Sequence, residues 1–108
     1  MPLIQITLTG PQAAPATIQR LQQETTRLMQ TLLHKEAALT VVSVSQLPAG
    51  AFTANGQAVA TGASLQALIT AGTNSAAEKA AFIFAAKTLL TATLGHSAAP
   101  LYVALHEL

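Results

Sequence analysis

"LIQITLTG" (residues 3–10) and "LQALITAG" (residues 65–72) repeat one pattern, and their repetition decides the fold. In the first, Ile4, Ile6 and Leu8 alternate with Gln5, Thr7 and Thr9, the two-residue period of a strand with one buried face and one polar face. Working outward, a loop with Pro11 and Pro15 follows, and Pro15 suits the first turn of a helix, where a missing N–H costs nothing. Ile18, Leu21, Thr25, Leu28 and Leu32 then recur at helical spacing, predicting an amphipathic helix to about Leu33. "LTVVSVSQL" (39–47) is β-branched and strand-like.

The second unit has the same order. After "LQALITAG" comes "NSAAEKAAFIFAAKTLLTATLG" (74–95), in which Ser75 and Glu78 have capping-box spacing and Gly95 fits a helix stop. "YVALHEL" (102–108) then lines up with "VVSVSQL" (41–47), at a spacing of 61 or 62 residues that the first strand pair shares. Ser64 takes the place of Pro2 in the second unit and, being mid-chain, offers no free amine. Each unit predicts two parallel strands joined by a right-handed helical crossover. The expected fold is therefore α/β (α+β): two pseudo-symmetric β-α-β units forming a four-stranded mixed sheet, with both helices on one face. Residues 1–108 make a single domain, with internal repeats at roughly 2–60 and 64–108. The other sheet face is left bare, carrying several leucines and either Val41 or Val42 according to register. Between the units, Asn55-Gly56 is a hairpin-turn signal, and Ala49 to Ala54 is a candidate to pair with a neighbouring subunit's sheet edge.

Only 8% of the residues are charged, far below the roughly 25% of ordinary soluble domains, so much of the surface is expected to be covered by other copies of the chain. A net charge of +1, with Arg20, Arg27, Lys35, Lys79 and Lys87 dispersed, gives no footprint for nucleic acid. The longest apolar run, Ala80 to Ala92, is interrupted by Lys87 and is too short to span a bilayer, so no membrane partner is expected. The absence of cysteine removes thiol chemistry and, with no basic leader at the N-terminus, fits a cytoplasmic protein. His34, His96 and His106 lack metal-ligand spacing, so no metal is expected.

Pro2 has two readings. It is a tolerated strand start, since a first strand residue can lack its N–H; or, once Met1 is removed, it is a secondary amine that no internal side chain supplies. Lys35, in "HKEA", is by default a solvated cation near a helix end, Tyr102 a packing residue, and Phe52 a core or interface residue.

Pro2, the doubled β-α-β units, the stretch from Lys35 to the "AF" of Ala51-Phe52, and the terminal "LYVALHEL" together resemble the tautomerase superfamily. Among its long-chain members, those like macrophage migration inhibitory factor and 5-carboxymethyl-2-hydroxymuconate isomerase are the most similar. The resemblance covers nearly the whole chain. It implies a homotrimer with active sites between subunits, Pro2 as catalytic base, Lys35 as an active-site lysine, and Tyr102 as a tyrosine contributed by an adjacent subunit. Phe52 would form an apolar wall for the substrate. Ala104 departs from the pattern, standing where the migration-inhibitory-factor group has an asparagine, and no arginine occupies the second strand.

The implied function is a cofactor-independent keto–enol tautomerase of small 2-oxo acids, phenylpyruvate-like or muconate-like, inactive if Met1 is retained. The alternative is a catalytically inactive trimer of the same fold that serves binding or regulation.

Overall fold

The computed structural model describes residues 2–95 and 100–108; Met1 and His96 lie outside the described residues. Strand β1 (Leu3–Thr9) buries Ile4, Ile6 and Leu8 almost completely, as its alternation demands. Helix α1 (Pro15–Leu32) starts on Pro15 and buries Leu21, Thr25 and Met29, with Leu33 one turn further on. This four-residue spacing keeps the buried positions on one side of the helix. A short 3₁₀ turn (Ala37–Leu39) takes up the first residue of the expected second strand, so β2 begins two residues later and runs Val41–Leu47.

The Asn55-Gly56 signal is realised as a tight hairpin. β3 (Thr53–Ala54) pairs antiparallel with β4 (Gln57–Ala58), and both turn residues have positive φ, 52° and 72°. The Thr53–Ala54 end of the candidate edge segment is thus paired within its own chain.

Strand β5 spans Gly62–Ile69, three residues earlier at each end than "LQALITAG" suggests. The reason is tertiary: β5 runs antiparallel to β1, and Gly62 is needed opposite Thr9 to complete that ladder. Gly72, with a φ of 75°, already lies in the turn beyond. Helix α2 (Ala76–Leu94) opens on a full capping box, in which the Ser75 hydroxyl accepts from the Glu78 N–H and the Glu78 carboxylate accepts from the Ser75 N–H. It stops at Gly95 in the left-handed conformation. Strand β6 (Leu101–Glu107) closes the sheet, whose order is β2-β1-β5-β6. The pairs β1/β2 and β5/β6 are parallel, and β1/β5 is antiparallel.

Ladder registers fix the internal symmetry. Leu3 pairs with Val41, and Ser64 pairs with Tyr102, so one offset of 61 residues carries the first strand pair onto the second. A pseudo-twofold axis passes between Gln5 and Gln66, which face one another in the central ladder and are both exposed. This corrects the expectation from sequence that Ser64 is the counterpart of Pro2: at this offset Ala63 stands there. The same offset superposes Leu21, Thr25 and Met29 on Phe82, Ala86 and Leu90, the buried positions of the two helices.

All these residues join Ile4, Ile6, Leu65, Ala67 and Ile69 in one core between the helices and one sheet face. Each large apolar side chain so buried contributes about 1.5–3 kcal/mol. Among the described residues nothing is layered over the opposite face. Register assigns Val41, not Val42, to this bare face: Val41 is 45% exposed, whereas Val42 packs on the core.

Glycine is required at Gly10. Its φ is 119°, and a Cβ there would sit 2.8 Å from the Thr61 methyl and 3.0 Å from the Ala60 carbonyl oxygen. The close approach locks the β1–α1 turn against the segment entering β5.

Candidate active site

Because β1 and β2 are parallel, the residue entering β1 and the loop entering β2 lie at the same end of the sheet. Pro2 is the former, half-buried, and its carbonyl accepts the Val41 N–H at 3.1 Å. The latter carries Lys35. Helix α1 ends at Leu32, the chain turns through His34 in the left-handed region (φ 59°), and the Lys35 N–H returns to the Met29 carbonyl at 3.1 Å. A non-glycine residue in that conformation costs on the order of 1 kcal/mol. Contacts from the neighbouring unit hold it there.

Those contacts come from the loop after β5 and the first turn of α2. Antiparallel pairing with β1 brings the end of β5 to the Pro2 end of the sheet. Asn74 donates from Nδ2 to the Leu33 carbonyl (2.9 Å) and to Glu78 Oε1 (3.3 Å). Glu78 Oε2 lies 3.1 Å from His34 Nε2. The Ser75 N–H first, and the Asn74 amide second, hold the Glu78 carboxyl below the ordinary glutamate range. The Lys35 ammonium donates to Thr73 Oγ1 at 2.8 Å. No carboxylate among the described residues pairs with that ammonium. Lys79, close by in α2, does have such a partner: it bridges to Glu107 at the end of β6. Glu107 is held low by Lys79 and then by the Gly72 N–H. At this end of the sheet, therefore, one lysine is neutralised and the other keeps its charge available.

Tyr102 and Phe52 lie elsewhere in the chain. Tyr102 is 66% exposed near the start of β6, paired with Ser64, which itself pairs with Thr7. From strand spacing this puts it roughly 17 Å along and about 10 Å across the sheet from Pro2. Phe52 is half-buried at the same far end. A Cβ added to Gly62 would come within 3.0 Å of its ring, and its carbonyl accepts the Val59 N–H. Gly62 lies opposite Thr9, at the end of β1 remote from Pro2. Ala104 sits half-buried in β6 beside Gln66. One chain thus places Pro2 and the Lys35 loop at the same end of the sheet, with Phe52 and Tyr102 toward the other.

The network of Thr73, Asn74 and Glu78 around Lys35 was not part of the reading from sequence. Its one legible sign was the Ser75/Glu78 capping box, which points to a helix start and not to the loop it contacts.

No protein-family model and no curated protein matches the sequence. Solved structures do. The protein Pt0534, inactivated by 2-oxo-3-pentynoate, aligns with 98% of this chain and 85% of its own at 19% identity and a TM-score of 0.88. A fused 4-OT wild-type symmetric trimer aligns over 98% and 85% at 20% identity and a TM-score of 0.87. A macrophage migration inhibitory factor-like protein from Entamoeba histolytica aligns over 99% and 88% at 17% identity and a TM-score of 0.79. At such identities the shared property is the backbone architecture, and it extends over the described chain end to end: the protein has the fold of these 4-OT and macrophage migration inhibitory factor-like structures.

Proposed function

We propose that the protein is a cofactor-independent tautomerase of small 2-oxo acids, acting as a homotrimer with the Pro2 amine, freed by removal of Met1, as general base. The observation that carries this reading is the location, at one end of the sheet, of both Pro2 and a Lys35 ammonium that no carboxylate among the described residues pairs, in the fold of 4-OT and migration-inhibitory-factor-like structures.

A free α-amino group titrates at about 7.7–8.0 in water. An apolar cleft disfavours its charged form, and a nearby ammonium disfavours it further, so both push it toward neutrality at physiological pH. A base so tuned suits removal of a proton α to a carbonyl, or of the enol hydroxyl proton in the reverse sense, with return of that proton at the other atom. Lys35 binds the substrate carboxylate. Tyr102 of an adjacent subunit donates a hydrogen bond to the carbonyl oxygen as charge develops on it, and Phe52 walls the substrate. The separation of Tyr102 and Phe52 from Pro2 within one chain supports a site shared between subunits, and the bare sheet face supplies the surface for association. A cytoplasmic location accords with the lack of cysteine.

The test is turnover of enolised phenylpyruvate by protein whose mass shows a free Pro2. Pro2→Ala is expected to lower kcat by about 10²-fold or more. Unchanged turnover in that variant rules out the mechanism. Ala104, a methyl group where an amide belongs in the migration-inhibitory-factor group, favours the second reading, a binding or regulatory trimer. Retention of Met1 in the native host would support that reading, because an acylated Pro2 nitrogen has no basic lone pair.

A further inference from the structure

The pseudo-twofold builds the same end of the fold twice, and among the described residues the network of Thr73, Asn74 and Glu78 has no like counterpart in the other copy. At the 61-residue offset Asn74 and Glu78 correspond to Ala13 and Thr17. There, among the described residues, the Gln46 side chain ties the turn, accepting the Ala13 N–H at 3.3 Å and donating to the Gly10 carbonyl at 3.4 Å, beside a cavity of about 300 Å³ lined by Ala13 and Thr17 together with Leu8, Gln46 and Leu94. The second turn thus carries side-chain hydrogen bonds without a lysine, and among the described residues the ammonium–hydroxyl contact occurs at the Lys35 end alone.

Within it, Thr73 is chemically particular. Its hydroxyl has one proton, which goes to the Thr70 carbonyl at 2.7 Å, so the oxygen presents lone pairs to the Lys35 ammonium at 2.8 Å. A neutral acceptor orients the ammonium and leaves its positive charge intact. A carboxylate at this place would orient it equally well and quench it, as Glu107 does for Lys79. Two of the three Lys35 N–H donors remain without an acceptor among the described residues.

We infer that Thr73 is the positioning residue of Lys35, holding the ammonium through an uncharged oxygen so that the charge and two donors are reserved for a carboxylate on the substrate. This rests on the reading of Lys35 given above and narrows it. The selectivity for acid over neutral ketone is set jointly by Lys35 and by the absence of an anion at position 73.

The experiment compares enolised phenylpyruvate with its methyl ester in the wild type, Thr73→Val, Thr73→Ser, Thr73→Asp and Lys35→Ala. Thr73→Val is expected to raise KM for the acid about tenfold with kcat within about twofold, and to leave KM for the ester unchanged. Thr73→Ser restores the wild-type ratio, and Thr73→Asp erases the preference for the acid. If Lys35→Ala raises the acid KM but Thr73→Val keeps the wild-type acid-to-ester ratio, the inference is wrong and the role of Lys35 stands. If Lys35→Ala leaves the acid unaffected, the role of Lys35 falls and takes the inference with it. NMR titration with 3-phenylpropanoate and its methyl ester reads the same ratio as dissociation constants, so the outcome does not depend on turnover.

Discussion

Thr25 shows how a single position reports on the packing around it. It lies in the middle of α1, fully buried, and its hydroxyl has no hydrogen-bond partner among the described residues, whereas the side chain of its counterpart by the internal symmetry, Ala86, has no polar atom. A buried hydroxyl left unpaired costs about 1–3 kcal/mol. Thr25→Val keeps the shape and removes the orphan oxygen. It is expected to stabilise the protein by about 1 kcal/mol, read as a higher midpoint in urea at unchanged m-value. A lower midpoint would mean that the hydroxyl is satisfied in solution. At the same scale His34 shows the opposite arrangement, a residue in a left-handed conformation kept there by Glu78 and Asn74, beside the lysine on which the proposed chemistry depends.

Helix α2 is held at its first turn by carboxylates more than by an amphipathic pattern. Its outward side still carries Phe84, 74% exposed. Glu78 caps the helix and contacts the α1 turn; Glu107 ties the end of β6 to Lys79 and Gly72. Both carboxyls titrate below their ordinary value in the folded protein. Between the folded and unfolded values the unfolded chain therefore binds more protons. Their contribution is complete above the ordinary glutamate range, near 4.5, and is lost as pH falls through the depressed folded values. Thermal melts of the wild type and Glu78→Gln should accordingly differ most at pH 6–7, with the wild type higher, and converge toward about pH 3. A gap that stays constant across that range would show that the charge of Glu78 has no part in holding the turn.

At the scale of the whole molecule the unsolved surface is the bare sheet face, where Val41 and Tyr102 are exposed at symmetry-related positions. With 8% charged residues in the chain, such a face calls for a partner, and three copies of the sheet around an axis would provide one. Val41→Glu would place an unpaired charge in that contact. By sedimentation velocity the wild type is expected to run as a trimer and Val41→Glu as a monomer at micromolar concentration. A variant that keeps the wild-type mass would locate the interface elsewhere. The sequence by itself determined the two-unit β-α-β plan, the hairpin at Asn55-Gly56, the capped start and glycine stop of α2, and the candidacy of Pro2 and Lys35. Those features are written in periods and signals a few residues long. Tertiary structure alone decided the 61-residue register, the choice of Val41 over Val42, the extension of β5 to Gly62, the gathering of Thr73, Asn74 and Glu78 about Lys35, and the remoteness of Tyr102 and Phe52. The physical reason is that a strand period of two is unchanged by sliding the strand against its neighbour. Contacts between residues 38 or 41 positions apart, such as Lys35 with Thr73 and Leu33 with Asn74, exist only after the ladder has fixed which residue faces which.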